Sequence, residues 1–193
     1  MVDLVVVICH FKEDLGWIDQ LKNPYVIYNK NPKNEGEYDF NIPNYGFDTV
    51  AYVKYIIDNY DNLPNYVCFS QDNPFFHCEE FLNKVNGFDG LSEFCPLGKT
   101  YERDNEYVLK QTIDYAKKIG IEFEEPIKFI NSAQCIVSSK LIRSTSIDVY
   151  KNIMNSYDKN SIINQTNYLI EYLWPTIMNF NDKLELSLNN CRK

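Results

Sequence analysis

The sequence has only two histidines, His10 and His77, and it has no GxSxG segment. A hydrolase that pairs a serine nucleophile with a histidine base therefore has few residues to use. No GxGxxG follows the first apolar run, so the dinucleotide-binding fingerprint is absent as well. Gly98-Lys99-Thr100 resembles the end of a phosphate-binding loop, but that loop needs a glycine five positions earlier, where Glu93 stands. These absences argue against three common types of α/β enzyme.

Positive charge is also scarce, since 19 Lys and Arg residues face 27 Asp and Glu residues and the net charge is -8. A general nucleic-acid binder needs a basic surface to neutralise phosphates, so we expect no nucleic-acid partner. A nucleotide ligand stays possible, because a metal ion and a few backbone groups can hold a small phosphate.

The six cysteines are scattered, with no CxxC pair and no spacing suited to zinc. This usage predicts reduced thiols and a cytoplasmic location. The start of the chain, 1–8, has no basic segment or cleavage site typical of a signal peptide, and its apolar run is too short to cross a bilayer. We therefore expect no membrane span.

No linker rich in Gly, Ser or Pro and no internal repeat divides the 193 residues. A chain of this length can bury a full core, so we predict one domain over residues 1–180. The composition becomes polar near residue 181, which predicts a peripheral tail over residues 181–193.

Strand-like and helix-like segments alternate along the chain, which predicts an α/β fold with a central, mostly parallel mixed sheet flanked by helices. The predicted strands lie at 5–9, 25–28 and 66–70, with at least one more within 128–138, and a long loop is predicted at 31–46. The predicted helices lie at 12–21, 48–60, 102–119, 147–157 and 167–180.

Polar side chains follow two of the predicted strands. His10 and Phe11 come after the first strand, and Gln71 and Asp72 come after the third. If those strands are near neighbours, these residues line one crevice, where Phe11 can stack on a planar base and Asp72 can hold a divalent cation. The alternative is that His10 and Phe11 cap the core while Asp72 begins a solvated turn.

A family resemblance is carried by seven segments in a fixed order. They are Ile8–Trp17, Val26–Lys30, Pro43–Gly46, Tyr55–Pro64, Phe69–His77, Ser132–Ser138 and Ile170–Pro175. The set resembles a family of small glycosyltransferase-like proteins found in fungi, algae and large algal viruses. That family includes viral transferases that help to glycosylate a major capsid protein. The resemblance therefore implies a glycan or glycoprotein acceptor and, for a viral protein, a location in the host cytoplasm.

The resemblance also implies a GT-A-like fold, a nucleotide-sugar donor that is UDP-linked, and Mn²⁺ or Mg²⁺ as the cofactor. It places Asp72 at the metal and diphosphate. The nucleotide-binding residues that it implies are His10, Phe11, Glu13, Asn29, Lys30, Asp48 and Gln71. Many relatives read Gln-Gly-Asp-Pro where this chain has Gln71-Asp72-Asn73-Pro74, so the carboxylate is displaced by one position and an Asp-x-Asp pair is missing.

Glycosyl transfer passes through an oxocarbenium-like state, and an inverting enzyme must also take a proton from the acceptor hydroxyl. Asp72 and Glu171 are the candidate bases. Glu171 stands inside an otherwise apolar helical segment, which favours a functional role, although a salt bridge or an exposed helix face is an alternative. We expect His77 and Gln134 to bind sugar hydroxyls, and Trp174 either stacks on a sugar or fills the core.

Two other functions stay open. One is a catalytically inactive module that binds a nucleotide sugar or a carbohydrate. Such a module would keep the fold but lack the Asp-x-Asp pair that binds the metal. A nucleotidyltransferase would also use carboxylates at strand ends together with a divalent ion.

Overall fold

The strands form two sheets in the computed structural model, which describes residues 2–34, 38, 40–123, 125–157 and 165–180. The strands are β1 (Leu4–His10), β2 (Tyr25–Asn29), β3 (Phe40–Asn41), β4 (Tyr66–Gln71), β5 (Phe94–Pro96), β6 (Thr100–Arg103), β7 (Ile127–Ile130) and β8 (Cys135–Ser138). The helices are α1 (Thr49–Asn59), α2 (Phe81–Asn86), α3 (Glu106–Ile119), α4 (Ser139–Arg143), α5 (Ile147–Ser156) and α6 (Gln165–Ile177). The polar tail predicted at 181–193 lies outside the described residues.

The larger sheet has the order β3-β2-β1-β4-β8-β5. Its first four strands run parallel, and β8 is antiparallel to both of its neighbours. The smaller sheet is the antiparallel pair β6-β7. A mixed α/β fold with a mostly parallel central sheet is therefore confirmed.

Each face of the central sheet packs against its own hydrophobic cluster. Val7 and Phe69 belong to the larger cluster, which α1, α5 and α6 complete. Ile8 points to the opposite face and packs in a second cluster that includes Trp17 and Phe81. Adjacent residues of β1 thus serve opposite faces, as the alternation of side chains along a strand requires. A sheet that is covered on both sides explains why β1 and β4 are almost continuously apolar.

Strands β1 and β4 are hydrogen-bonded neighbours, with Cys9 paired to Gln71. Because the two strands are parallel, they both end at the same edge of the sheet. The prediction that the exits of the first and third strands are close in space is therefore confirmed.

The helix predicted at 12–21 is wrong, since only Gly16–Gln20 is helical there, as a single 3-10 segment. The backbone N–H groups of Phe11, Lys12 and Glu13 instead donate to the side chain of Asp72. A helix that began at residue 12 would also leave these N–H groups unpaired, and here the Asp72 carboxylate accepts them.

The helix predicted at 102–119 begins later than expected. Residues Thr100–Arg103 form β6, and α3 starts at Glu106, after the Asn105 side chain accepts the Val108 N–H at 3.0 Å. Its end is confirmed, since Gly120 has a φ of 87° in the left-handed region.

The segment 128–138 contains two strands, β7 and β8, which belong to different sheets. Ser132 and Ala133 lie between them with φ values of 65° and 54°. These left-handed residues turn the chain from one sheet to the other.

No helix within the described residues is long and apolar enough to cross a membrane.

Candidate functional site

A cavity of about 230 Å³ that is lined mainly by polar residues, here called the carboxylate cavity, lies beside the exit of β4. It receives residues from the end of β4, the start of α1, the β7–β8 connection and α6. The lining residues are Phe47, Asp48, Thr49, Gln71, His77, Asn131, Ser132, Asn167, Tyr168 and Glu171. The crevice beyond the carboxyl ends of parallel strands is where open α/β sheets bind ligands, so we take this cavity as the candidate site.

Asp48 occupies the N-cap position of α1, but its side chain makes no capping hydrogen bond. Its Oδ2 atom instead accepts the Gln71 side-chain N–H at 2.5 Å. Burial raises the pKa of Asp48, while the Gln71 hydrogen bond and the charge of Lys30 oppose that shift. The helix start thus directs this carboxylate into the cavity.

Glu171 enters the same cavity from α6. Its Oε1 atom accepts the backbone N–H of Ser132 at 2.7 Å. Burial raises the pKa of Glu171, and the nearby charge of Asp48 raises it further, whereas the Ser132 hydrogen bond and Arg103 lower it. A carboxyl group with a raised pKa is a better proton acceptor once ionised, which suits general base catalysis.

Two non-glycine residues of the cavity wall, Phe47 and Ser132, have left-handed backbones with φ values of 45° and 65°. Such a residue costs on the order of 1–3 kcal/mol and persists where its surroundings hold it. The Lys30 ammonium donates to the Phe47 carbonyl at 2.6 Å, and Glu171 holds the Ser132 N–H. Strain of this kind concentrates at functional sites, which supports the choice of this cavity.

His77 lies in the cavity wall with its Nδ1 atom 3.2 Å from the amide nitrogen of Asn131. Burial lowers the pKa of His77, so the neutral imidazole is favoured. An amide nitrogen can only donate, so Nδ1 accepts and the ring proton lies on Nε2. This arrangement leaves His77 with a hydrogen-bond donor for a ligand.

A second cavity of about 320 Å³, here called the amide cavity, lies at the ends of β2 and β3. It is lined by Asn29, Lys30, Asn31, Pro32, Asn41, Ile42, Pro43 and Asn44. Lys30 connects the two cavities, because it lines this one and its Nζ atom contacts Phe47 of the other. The amide of Asn29 is held by Asn31 and Asn41, which fixes that wall.

Asp72 is not part of the lining of the carboxylate cavity. Its Oδ2 atom accepts three backbone N–H groups, from Phe11, Lys12 and Glu13, at 2.9, 3.0 and 3.1 Å. His10 Nδ1 lies 3.5 Å from the same oxygen, and the Trp17 indole N–H donates to the Asp72 carbonyl at 2.8 Å. Asp72 therefore connects the turn after β4 to the loop after β1.

These contacts test whether the residues at Asp72 fit the divalent metal that the resemblance implies. Divalent cations of this type need several oxygen ligands, and three N–H dipoles already point at one of the two Asp72 oxygens. Among the residues that the structure describes, no three His, Cys, Asp or Glu side chains are grouped so that they could hold a metal. The side chains that the structure describes therefore do not provide enough ligands for a metal that is held by the protein alone.

Gln134, which was expected to bind sugar hydroxyls, is fully buried, and so is Trp174, for which sugar stacking and core filling were the two alternatives. The Gln134 side chain accepts the Gln71 backbone N–H at 3.1 Å and donates to the Pro74 carbonyl at 3.4 Å. Trp174 packs against Tyr52 and Phe69 inside the larger hydrophobic cluster. Neither residue lines the carboxylate cavity or the amide cavity, and both are buried behind the site.

The residues predicted near the nucleoside after β1 are spread over the interior and the surface. His10 is buried, with its ring edge-on to Tyr38 at 5.2 Å. Phe11 is 41% exposed, and Glu13 is partly exposed with its carboxylate 3.8 Å from the Lys12 ammonium. Of these three residues, Phe11 offers the largest free surface to a ligand.

The sequence prediction did not include Asn131, Ser132, Asn167 and Tyr168 as site residues. A usable signal existed for the first two, because they follow the strand-like segment Ile127–Ile130 in the same way that Asp72 follows β4. No comparable pattern distinguishes Asn167 and Tyr168, which enter the cavity through the position of α6.

Residues 5–94 are similar to a protein family described as a protein of unknown function (DUF3431). That segment contains Asp48, Gln71 and His77, while Ser132 and Glu171 lie beyond it. No curated protein and no solved structure matches the chain.

Proposed function

We propose that this protein is a GT-A-like glycosyltransferase that moves a sugar from a UDP-linked donor to a hydroxyl group of a glycan or glycoprotein. One observation carries the proposal. Two carboxylates with raised pKa, Asp48 and Glu171, converge with Gln71 and His77 on one cavity beside the end of a parallel strand. The mostly parallel mixed sheet agrees with this fold type at the level of α/β class.

The two cavities suit two parts of such a donor. The carboxylate cavity, at about 230 Å³, is smaller than the roughly 300–1,000 Å³ of sites for drug-sized ligands, so it suits a group the size of one sugar. The amide cavity has the donors and acceptors that recognise a nucleoside, and it contains Asn29 and Lys30. We assign the nucleoside to the amide cavity and the transferred sugar to the carboxylate cavity.

Glu171 is the general base in this proposal. In an inverting transfer, the acceptor oxygen forms a bond to the anomeric carbon while the bond from that carbon to the diphosphate oxygen breaks. The acceptor proton passes to the ionised carboxylate of Glu171, and the nucleoside diphosphate leaves with the bonding electrons. The Ser132 N–H holds Oε1 of this carboxylate, so Oε2 is the oxygen that takes the proton.

Asp48, Gln71 and His77 position the sugar. Asp48 accepts hydrogen bonds from sugar hydroxyls, and His77 donates one from Nε2. Metal assistance by Mn²⁺ or Mg²⁺ stays a prediction from the resemblance, and proton transfer to Glu171 does not require it.

A panel of nucleotide sugars tests the proposal. The melting temperature is measured with UDP-, GDP- and CMP-linked sugars, with and without Mn²⁺, and release of the leaving nucleotide (UDP, GDP or CMP) from each donor is then assayed. We expect UDP-linked sugars to raise the melting temperature and to be hydrolysed slowly in the absence of an acceptor. If no nucleotide sugar raises the melting temperature, the proposal is wrong.

The same panel separates the two alternatives. Stabilisation by a donor without any turnover indicates a silent binding module. Release of pyrophosphate from a nucleoside triphosphate indicates a nucleotidyltransferase. Release of UDP, GDP or CMP from the matching nucleotide sugar is the outcome expected of a glycosyltransferase.

A further inference from the structure

Three consecutive backbone N–H groups, from Phe11, Lys12 and Glu13, converge on one oxygen of Asp72. Successive N–H groups that point to one place form a backbone concavity that binds anions. The anion in this concavity is supplied by the chain itself, from about 60 residues further along. A carboxylate that accepts several N–H groups makes strong, charge-assisted hydrogen bonds.

We propose that Asp72 is a positioning residue, whose carboxylate holds the loop after β1 (residues 11–15) in place, and that it is not the principal ligand of a metal. Its negative charge and its Oδ2 atom are already used inside the protein. The concavity is therefore also closed to the diphosphate of a donor, because it is filled by a side chain of the chain itself.

The loop is held at both ends by Asp72. The Asp72 carboxylate takes the N–H groups at the start of the loop, and the Asp72 main-chain carbonyl takes the indole N–H of Trp17 just after it. Upstream of this loop, the His10 carbonyl accepts the Lys30 N–H at 2.8 Å, which ties β1 to the wall of the amide cavity. Asp72 thereby fixes the position of Phe11, which directly follows the strand end that borders this cavity.

Asparagine and alanine variants at this position separate the two roles. Asp72→Asn keeps a carbonyl oxygen of the same shape that can accept the N–H groups, but it removes the negative charge that makes an aspartate a strong ligand for a divalent metal. Asp72→Ala removes both the accepting oxygen and the negative charge. Asp61→Ala is the matched control, because Asp61 is exposed and its carboxylate accepts no hydrogen bond within the described residues.

The first measurements use the protein without substrate, in EDTA. We expect Asp72→Ala to lower the melting temperature by roughly 4–10 °C and Asp72→Asn by much less. Hydrogen exchange of the Phe11, Lys12 and Glu13 amides should accelerate by about tenfold or more in Asp72→Ala and stay slow in Asp72→Asn. Formate fits the vacated concavity, so it should raise the melting temperature of Asp72→Ala more than that of the wild type.

A second measurement rests on the proposed function and uses UDP as the probe. We expect Asp72→Ala to weaken UDP binding and Asp72→Asn to restore it, with the same gain from Mn²⁺ as in the wild type. If the wild type does not bind UDP, the proposed function fails while the substrate-free measurements still decide the role of Asp72.

Two results would overturn the inference. One is that Asp72→Ala leaves both the melting temperature and the exchange of the three amides unchanged. The other is that Asp72→Asn has the stability of the wild type but loses the Mn²⁺-dependent gain in UDP affinity. If Asp72→Ala does not fold, slow exchange of the three amides in both the wild type and Asp72→Asn supports the inference, and fast exchange in either one contradicts it.

Discussion

Glu171 and Ser132 lie far apart in the sequence, and the carboxylate of one accepts the backbone N–H of the other at 2.7 Å. Ser132 presents this N–H from a left-handed backbone with a φ of 65°, between strands of different sheets. The contact fixes the orientation of a carboxylate whose pKa is raised by burial. One oxygen is held and the residue lines the cavity, which is an arrangement that suits a general base.

Replacing Glu171 by Gln should remove the base and keep the fold. The Gln side-chain oxygen can still accept the Ser132 N–H, so the melting temperature and donor binding should stay close to those of the wild type. Steady-state kinetics should show kcat lower by about 10²–10⁴-fold, the usual contribution of general base catalysis. Glu122→Gln changes an exposed carboxylate and serves as the control. Turnover at the wild-type rate in Glu171→Gln would exclude Glu171 as the base.

Stability should fall as the pH rises through the titration of Glu171. Burial raises the pKa of its folded state above the ordinary value of 4.5. Between these two values the native state holds more protons than the unfolded state, so the free energy of unfolding decreases with pH. Urea denaturation at pH values from 4 upward should show Glu171→Gln gaining stability relative to the wild type across this window. A constant difference between the two proteins would show that the pKa of Glu171 is not raised.

Three of the four parallel strands were predictable from local sequence, whereas β3 lies within the loop predicted at 31–46. The strands β1, β2 and β4 are short apolar runs that end in polar residues, and a sheet covered on both faces favours such runs. Gln71 could be placed at the site by the same logic, since residues just beyond parallel strands face the ligand crevice. The short elements β5 and α2 were missed, because they contain few residues and so little periodicity.

Contacts between distant segments were not predictable. Nothing local to residues 11–13 indicates that their N–H groups donate to Asp72, so the segment resembled the start of a helix. Likewise, Gln134 is polar and follows a strand, which favoured a role in binding. Its side-chain amide instead forms hydrogen bonds with two backbone groups near the end of β4. In both cases, backbone groups need a hydrogen-bond partner, and that partner comes from a distant segment. Only the tertiary structure determines which segment supplies it.

Gly46 should be intolerant of a side chain, because its φ is 69° and an added Cβ would lie 2.8 Å from the ring of Tyr157. Gly46→Ala should destabilise the protein by about 1–3 kcal/mol, seen as a melting temperature lower by roughly 2–10 °C. Donor affinity should also fall, because the turn at Gly46 positions Asp48, which lines the carboxylate cavity. Gly16→Ala is the matched control, because its Cβ would meet only the flexible Asp14 side chain at 3.1 Å. Equal melting temperatures for the two variants would contradict this reading of the turn.

Gln134→Leu distinguishes a structural amide from a sugar ligand. The variant leaves the Gln71 backbone N–H and the Pro74 carbonyl without their partner in a buried region, so we expect a loss of about 1–3 kcal/mol in the free energy of unfolding. Gln20→Leu alters an exposed amide and should leave stability nearly unchanged. Urea denaturation measures both variants, and steady-state kinetics gives KM for the donor. If Gln134→Leu raises KM while stability stays at the wild-type level, then Gln134 contacts the sugar and the buried position described for it is wrong.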